Sequence, residues 1–351
     1  MRCKDCRAYI NPFVRWTENG AKWVCPFCGD LNNTEAYYYS TIESDGYRTD
    51  HDDRPEFSCG TVDFIANHEY MNRPPMPPTY IFAFDVSRPA VESGYLALAC
   101  STIKSVIEQE LLPGQTEERV KIAFLTYDKN VQFYNLRSIL KQPQMLVVTD
   151  SENVFMPQPE DLLVNLADSY ELVINLLDNL PQYFVKTTYQ ESCFISALQC
   201  ANNIIKQIGG KMTFFQVSQM ILRHPKLQPP ANQGEKKGER LDLWHSTNNY
   251  FKNTGTELAH GQVSFDLFDF SWGIKKGYKN LKTFSDISAR ASGNVYYYPE
   301  FNPRTNGLKF SNELYHNITR KLAWEAVFRI RLSHGFNQID SYGNIQIKQK
   351  T

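Results

Sequence analysis

Apolar residues from residue 79 onward follow two alternating spacings. The runs TYIFAFDVS (79–87) and VKIAFLTYD (120–128) are almost continuously apolar, which is typical of strands buried on both faces of a sheet. Between them, SGYLALACSTIKSVIEQELL (93–112) has helical spacing. Strands and helices alternate in this way over residues 79–324. The pattern predicts an α/β domain with a doubly wound, mostly parallel sheet that carries helices on both faces.

Further elements continue the alternation. VQFYNL (131–136) follows the preceding strand closely enough to be its hairpin or edge partner. The other elements predicted for this domain are strands over 211–218, 263–270 and 294–301 and helices over 159–181, 192–210, 282–293 and 310–324. Residues 224–240 have no apolar period, and we expect them to form a mobile loop.

The N-terminal residues have a different pattern, built on two C-x-x-C pairs. Cys3 and Cys6 form the first pair and Cys25 and Cys28 the second. A metal site, a redox pair and ordinary buried thiols are the competing interpretations. A redox pair normally occurs singly, at the start of a helix that follows a strand. Two pairs at this spacing favour one structural zinc ion held by all four thiolates.

The segment between the two cysteine pairs supports a zinc ribbon over residues 1–35. YINPFVRWTENGAKWV (9–24) predicts two short strands around a polar turn at residues 18–20. A ribbon of this size cannot bury enough apolar surface to fold alone, so metal binding would supply its folding energy.

Two flanking segments complete the organisation. Residues 36–78 are polar and turn-rich and end in RPPMPP (73–78), which predicts an extended linker. At the other end, EAVFRIRL (325–332) predicts a strand, and a polar hairpin follows it. Since two or three strands do not form an independent sheet, residues 325–351 are expected to belong to an incomplete domain.

Composition narrows the class of protein. The 351 residues carry a net charge of −1, which gives no general attraction to nucleic acid or anionic lipid. No signal peptide and no apolar stretch of membrane-spanning length is visible, so we expect a soluble intracellular protein. The cysteines outside the pairs, which are Cys59, Cys100, Cys193 and Cys200, lack ligand spacing. We interpret Cys193 and Cys200 as buried thiols on one helix face.

Catalytic motifs are missing from the sequence. We find no nucleophile elbow, zinc-protease helix, phosphate loop or dinucleotide fingerprint. The expectation is therefore a protein that is not an enzyme.

Several stretches together resemble a known family. They are CRAYINPF, WVCPFC, RPEFSCGTVDF, EYMNRPPMPPTYIFAFDVS, MLVVTD, FMPQPEDLLVNL, GGKMTFFQ, GNVYYYPEF and RKLAWEAVFRIR. With these motifs the chain is similar to the cargo-adaptor subunits of the inner COPII coat, which exports proteins from the endoplasmic reticulum. The resemblance implies a zinc finger, a trunk of von Willebrand factor A fold over 79–324, and the first strands of an incomplete β-sandwich over 325–351. The family's helical and gelsolin-like domains have no counterpart in this sequence.

The resemblance also implies a function and partners. It implies a non-enzymatic, cytoplasmic coat subunit that sits peripherally on the endoplasmic reticulum membrane and on COPII vesicles. Its partners would be a sister coat subunit, the cytoplasmic tails of membrane cargo and SNAREs, and, through the complex, the coat's small GTPase. One alternative is the sister subunit itself, which stimulates that GTPase. A zinc-ribbon nucleic-acid binder is a weaker alternative, because the chain has no basic–aromatic stripe.

Von Willebrand factor A domains raise the question of a second metal site. Metal-dependent members end their first strand in Asp-x-Ser-x-Ser, and here the stretch is DVSRP (85–89). Asp85 and Ser87 match, but Pro89 offers no ligand oxygen. A hard cation with water in that place stays open as an alternative, and we favour Asp85 as a strand-end cap that organises its loop.

Four arginines are candidates for binding acidic cargo signals. Arg2 and Arg7 flank the first cysteine pair, whereas Arg329 and Arg331 are two apart on the predicted strand and project from one face. Arginine suits this role because its planar fork binds a carboxylate through two hydrogen bonds. The resemblance implies an acidic-signal pocket built from these four residues.

Overall fold

The computed structural model describes residues 1–65, 74–150, 155–157, 159–220, 249–270, 281–323 and 326–343. The chain forms two compact units. We call Met1–Pro74 with Ala326–Ser341 the ribbon unit, and Pro75–Glu325 with Tyr342–Thr351 the trunk unit. The loop predicted over 224–240 lies outside the described residues.

The ribbon unit contains a small antiparallel sheet. Its strands are β1 (Arg15–Thr17), β2 (Lys22–Val24) and β3 (Leu31–Asn33), in that order across the sheet. A 3-10 turn over Glu18–Gly20 joins β1 to β2, and Asn19 in that turn has a positive φ of 52°. The two predicted strands and their turn are confirmed, and β3 is an additional strand.

A small core lies beneath this sheet. Its buried members are Cys3, Ala8, Ile10, Val14, Trp23, Cys25, Tyr38 and Phe57. Tyr38 lies in a 3-10 turn (Ala36–Tyr38) and Phe57 in a short helix, α1 (Pro55–Ser58). Both belong to the predicted linker, so this part of it is folded rather than extended. The ribbon has little apolar surface of its own, and the rings of Tyr38 and Phe57 complete its core.

An arginine ties the recruited segment together. The guanidinium carbon of Arg48, which is 3% exposed, lies 4.5 Å from the ring centroid of Trp16 and 4.8 Å from that of Tyr38. Arg48 also donates through Nε and Nη2 to the carboxylate of Asp50, at 2.7 and 2.8 Å. Hydrogen bonds from Arg48, and then from Arg54, hold the pKa of Asp50 well below its ordinary value although burial opposes this.

The trunk unit is an α/β domain. Its strands are β4 (Thr79–Asp85), β5 (Lys121–Tyr127), β6 (Val131–Asn135), β7 (Gln144–Val148), β8 (Val164–Asn165), β9 (Glu191–Ser192), β10 (Gly210–Gln216), β11 (Gln219–Met220), β12 (Val263–Phe270) and β13 (Val295–Tyr298). Its helices are α2 (Arg88–Ser93), α3 (Tyr95–Glu108), α4 (Pro159–Leu162), α5 (Tyr170–Tyr183), α6 (Phe194–Ile205), α7 (Asn249–His260), α8 (Leu281–Arg290) and α9 (Pro303–Thr319). None of these helices, nor α1, combines the length and apolar character that crossing a bilayer requires.

The main sheet confirms the predicted topology. Its order is β13-β12-β10-β4-β5-β6-β7, with β8 added beside β5. Strands β13 to β5 in this order pair in parallel, whereas β6, β7 and β8 pair antiparallel. The predicted hairpin of β6 on β5 is confirmed. β7 was not predicted.

Alternate residues of the central strands feed two cores. In β4, Phe82 and Phe84 join the cluster that includes apolar residues of α3, α5 and α9, whereas Ile81 and Ala83 join the one that includes residues of α6, α7 and α8. All seven residues of β4 are buried. The sheet is therefore covered on both faces, as its uninterrupted apolar runs predict.

Some predicted elements differ from the structure. The helix predicted over 159–181 is divided into α4, β8 and α5, because Asn165 turns the chain: its Oδ1 accepts from the Ala167 amide at 2.9 Å and its Nδ2 donates to the Glu118 carbonyl at 3.0 Å. The last helix, α9, begins seven residues before the prediction, where Asn302 caps it by accepting from the Arg304 amide at 2.9 Å. Helices α2 and α7 were not predicted.

The strand predicted over 325–332 does not form. Residues 326–332 have no regular secondary structure. A strand needs a hydrogen-bonded neighbour, and among the described residues this segment has none. Residues 324, 325 and 344–351 lie outside the description.

A charged pair is buried in the trunk. Lys211 Nζ lies 3.1 Å from Asp266 Oδ2 and donates to the Asn317 carbonyl at 2.6 Å, near the end of α9. Lys211 and Asp266 are 3% and 2% exposed. Burial lowers the pKa of Lys211, against the opposing attraction of Asp266.

Candidate functional site

The four paired cysteines lie on two turns of matching construction. In the first turn the Arg7 amide donates to the Cys3 carbonyl at 3.1 Å, and in the second the Gly29 amide donates to the Cys25 carbonyl at 2.9 Å. Both donors have a left-handed backbone, with φ of 59° at Arg7 and 77° at Gly29. Each pair is therefore a knuckle that needs a left-handed residue directly after its second cysteine.

The knuckles bring four sulfurs together. Cys3 Sγ lies 3.5 Å from Cys28 Sγ, and Cys6 Sγ lies 3.6 Å from Cys25 Sγ. All four sulfurs lie within 4.8 Å of one another, and none is in a disulfide. Sulfurs arranged tetrahedrally at about 2.3 Å from zinc are roughly 3.8 Å apart, so the cluster fits one zinc ion. With four protein ligands and no open position, the site is structural.

Asn32, the middle residue of β3, supports the first knuckle. Its Nδ2 donates to Cys3 Sγ at 3.5 Å, while its Oδ1 accepts from the Lys4 amide at 2.9 Å. Although burial raises the pKa of the Cys3 thiol, hydrogen bonds from nearby backbone amides and from Asn32 lower it to about 7. Asn32 is 4% exposed. Sequence reasoning missed Asn32, because an asparagine in a three-residue strand carries no metal-binding signal.

The other thiols show what the metal must overcome. Burial, followed by the neighbouring thiols, raises the pKa of Cys28 to about 12, and burial raises the pKa of Cys6. Four thiolates in one place repel one another, and a bound divalent cation deprotonates coordinating thiols outright. The cluster is therefore suited to hold a cation and poorly suited to stay empty.

Two of the four predicted arginines are attached to the first knuckle, and a third is held by Tyr9. Arg7 belongs to it, and Arg331 Nε donates to the Cys6 carbonyl at 3.0 Å. The guanidinium carbon of Arg2 lies 4.0 Å from the ring centroid of Tyr9, and its Nη2 donates to the Tyr9 hydroxyl. Arg7 and Arg329 are exposed, and Arg331 is half-buried. The structure gives no contact that joins Arg329 to the knuckle.

Both carboxylate oxygens of Asp85, in the trunk unit, accept hydrogen bonds. Its Oδ1 accepts from the Ser87 amide at 2.9 Å. Its Oδ2 accepts from the amides of Val217 and Ser218 at 3.0 and 2.7 Å, and from the Ser218 hydroxyl at 2.7 Å. With four donors on one buried carboxylate, Asp85 organises the loops that follow β4 and β10, as predicted. Among the described residues, the paired cysteines are the metal-ligating cluster found.

The cysteines outside the two C-x-x-C pairs are not part of the four-sulfur cluster. Cys193 and Cys200 are 5% and 2% exposed, which agrees with their interpretation as buried thiols. Burial raises the pKa of both thiols, that of Cys200 to about 12. Cys59 is exposed.

Comparison with known proteins gives consistent matches along the chain. Family models match the Sec23/Sec24 zinc finger over residues 1–38 and the Sec23/Sec24 trunk domain over residues 75–318. "Protein transport protein SEC24 A" of Arabidopsis thaliana is 39% identical over 352 residues, covering 99% of this chain and 33% of the relative. "Protein transport protein Sec24A" of Homo sapiens is also 39% identical, with 99% and 31% covered.

A solved structure extends the likeness to three dimensions. The crystal structure of the human COPII-coat protein Sec24c superposes with a TM-score of 0.86 at 30% identity, covering 99% of this chain and 47% of that one. The chain spans about a third of the length of the curated relatives it matches. The zinc-finger match and the four-sulfur cluster agree on one structural zinc.

Proposed function

The chain belongs to the Sec23/Sec24 family, and we propose that it is the cargo-recognising part of a COPII coat subunit. In this role it binds acidic sorting signals in the cytoplasmic tails of membrane cargo and SNAREs, and it catalyses no reaction. The arginines that we assign to the signal are Arg2, Arg7, Arg329 and Arg331. The relatives named above are Sec24 proteins, which favours the adaptor over the GTPase-stimulating sister subunit.

The observation that carries the proposal is the attachment of Arg331 to a zinc ligand. Its Nε is used by the Cys6 carbonyl, at 3.0 Å. A guanidinium has five N–H donors, so the Nη edge keeps the two parallel donors that a carboxylate needs. Because Cys6 is fixed by the metal, this fork is held before the ligand arrives, and less side-chain entropy is lost on binding.

Arg7 supports the same role through its backbone. A left-handed conformation is unfavourable for a residue with a β-carbon, and the second knuckle has glycine at the matching position. Strain of this kind persists at functional sites. The exposed side chain of Arg7 gives a reason for it, since glycine would serve the turn better but would supply no charge.

Binding of an acidic peptide tests the proposal. The probe is a short peptide with two glutamates, measured by calorimetry beside its glutamine counterpart. Each lost charge-assisted contact should cost about 1.5–3 kcal/mol, or roughly ten- to a hundredfold in affinity. Arg329→Ala with Arg331→Ala should therefore abolish binding and leave zinc content intact. The control is Arg15→Ala, an exposed arginine of the same unit on β1.

An unchanged affinity in the double variant would refute the assignment of these arginines. The peptide should also be tested on a longer chain. Phe328, Ile330 and Leu332 are exposed and alternate with the two arginines. We propose that residues 325–351 supply the first strands of a β-sandwich, in which those apolar side chains become buried.

The partners and location of the coat form the wider part of the proposal. We infer that the trunk forms a heterodimer with the sister coat subunit, that the complex meets the coat's small GTPase, and that the protein acts peripherally on the endoplasmic reticulum membrane and COPII vesicles. Size-exclusion chromatography with the sister subunit tests the pairing. A single co-eluting peak at micromolar concentration is expected, and two separate peaks would argue against it.

A further inference from the structure

Arg2 is held by an aromatic side chain that does not belong to the ribbon core. Arg2 and Tyr9 face each other in an isolated antiparallel bridge. The guanidinium carbon lies 4.0 Å from the ring centroid, and Nη2 donates to the hydroxyl of the same ring. One residue thus contacts Arg2 both as a π surface and as a hydrogen-bond acceptor.

Tyr9 points away from the core of its own unit. Its chain neighbours Ala8 and Ile10 are each 3% exposed and belong to the core, whereas Tyr9 is 38% exposed. A role in packing would place the ring with its neighbours. Its outward position, against a cation, calls for another explanation.

A second ring fixes the first. Phe64 stacks on Tyr9 with ring centroids 5.0 Å apart and an interplanar angle of 3°. Phe64 is itself 43% exposed. The guanidinium and the two rings form a contiguous series on the surface of the ribbon unit, which we call the Arg2 stack (Arg2, Tyr9 and Phe64).

We propose that Tyr9 is a positioning residue for acidic-ligand binding, which it serves by orienting the guanidinium of Arg2, and that Phe64 keeps the Tyr9 ring in place. The inference rests on the proposed function. Without these contacts the long side chain of Arg2 would sample many rotamers, and that freedom would have to be given up when a carboxylate binds. The stack removes that freedom beforehand, as the Cys6 carbonyl does for Arg331.

A double-mutant cycle tests this coupling. Tyr9→Leu should weaken binding of the two-glutamate peptide by about three- to tenfold, as expected for losing a surface cation–π contact and its hydrogen bond. In an Arg2→Gln background the same Tyr9→Leu change should have no further effect. Tyr9→Phe, which keeps the ring and loses only the hydroxyl, should recover part of the affinity. Tyr39→Leu, at another exposed ribbon tyrosine, is the matched control.

Two results would overturn the inference in the peptide assay. One is an equal loss from Tyr9→Leu with and without Arg2, which would mean that Tyr9 acts independently of the arginine. The other is a fall in zinc content or ribbon stability that accounts for the loss in affinity, which would reduce Tyr9 to a structural role.

A ligand-free measurement separates this inference from the proposed function. In the absence of peptide, the Arg2 Nε–H resonance should show a ring-current shift and slowed solvent exchange that both disappear in Tyr9→Leu. If the resonance is shifted but no acidic peptide binds wild type, the stack exists and the proposed function fails. An Arg2 resonance that Tyr9→Leu leaves unchanged overturns the stack, whatever the peptide does.

Discussion

The ribbon unit and the trunk unit solve the problem of stability in different ways. The trunk buries apolar side chains on both faces of its main sheet, and every residue of β4 is inside. The ribbon has a small core in which two of the buried members, Cys3 and Cys25, are metal ligands. A unit with so little apolar surface depends on a metal cross-link, and we propose that the same cross-link holds the charged side chains of the ribbon in fixed positions.

Removing the metal should produce the largest difference between the two units. Cys3→Ser leaves three thiolates, and structural zinc sites contribute about 10–16 kcal/mol of apparent binding energy. The ribbon unit should unfold while the trunk keeps its cooperative transition, observed by zinc analysis and amide-resolved NMR. Cys59→Ser, which changes an exposed cysteine outside the cluster, should alter neither unit. A ribbon unit that stays folded without zinc would contradict the conclusion that metal binding stabilises it.

Breaking the buried charged pair should affect the trunk alone. Asp266→Ala leaves Lys211 buried without its carboxylate and should cost about 3–5 kcal/mol in urea unfolding. The control, Lys211→Met with Asp266→Leu, removes both charges and should be much less destabilising. Equal losses in the two variants would show that packing, and not the unpaired charge, is responsible.

The same pair predicts a direction for pH dependence. The pKa of Lys211 lies below its unfolded value of 10.5, so the unfolded state binds the proton more tightly between these two values. Wild-type trunk stability should therefore rise as pH approaches 10.5 from below, relative to the variant that lacks both charges. A fall over this range relative to that variant would contradict the direction.

Substitution of Asp85 should have a smaller effect on the stability of the trunk, and it also tests whether a second metal ion binds at this residue. The Asp85 carboxylate accepts hydrogen bonds from backbone amides and a hydroxyl. Asp85→Asn replaces one carboxylate oxygen with an NH2 group, which donates instead of accepting, and should lower the free energy of unfolding of the trunk by about 2–4 kcal/mol. Magnesium should not change the unfolding midpoint of wild type. If magnesium raises that midpoint in wild type and not in Asp85→Asn, this site binds a cation after all.

The sequence is most informative where one interaction dominates. The runs of β4, β5 and β12 are buried on both faces, so their apolar pattern is sufficient, and the cysteine spacing alone brings out the four-sulfur cluster. Prediction fails where contacts between residues distant in sequence determine the local structure. Phe57 and Arg48 look like parts of a polar linker until the ribbon core recruits them. Asn165 divides a helical pattern by bonding to a carbonyl distant in sequence, that of Glu118.

The candidate site shows the same division. The sequence identifies the cysteines and arginines of the site, but it does not show the contacts that hold these side chains in place. Nothing in the local pattern indicates that Arg331 bonds to the Cys6 carbonyl, because the two residues are separated by almost the whole chain. The left-handed backbone of Arg7 is equally hidden, although Gly29 at the matching place in the second knuckle is a clue to it.

The role of the first knuckle in binding is tested by the affinity of the two-glutamate peptide for Arg7→Gly, measured beside the stability of its ribbon unit. Glycine relieves the left-handed strain, so the ribbon should be as stable as wild type or more stable by about 1 kcal/mol. The affinity should nevertheless fall roughly tenfold, because one charge-assisted contact is lost. Unchanged affinity in this equally stable variant would contradict the claim that the first knuckle retains a strained arginine in order to bind acidic signals.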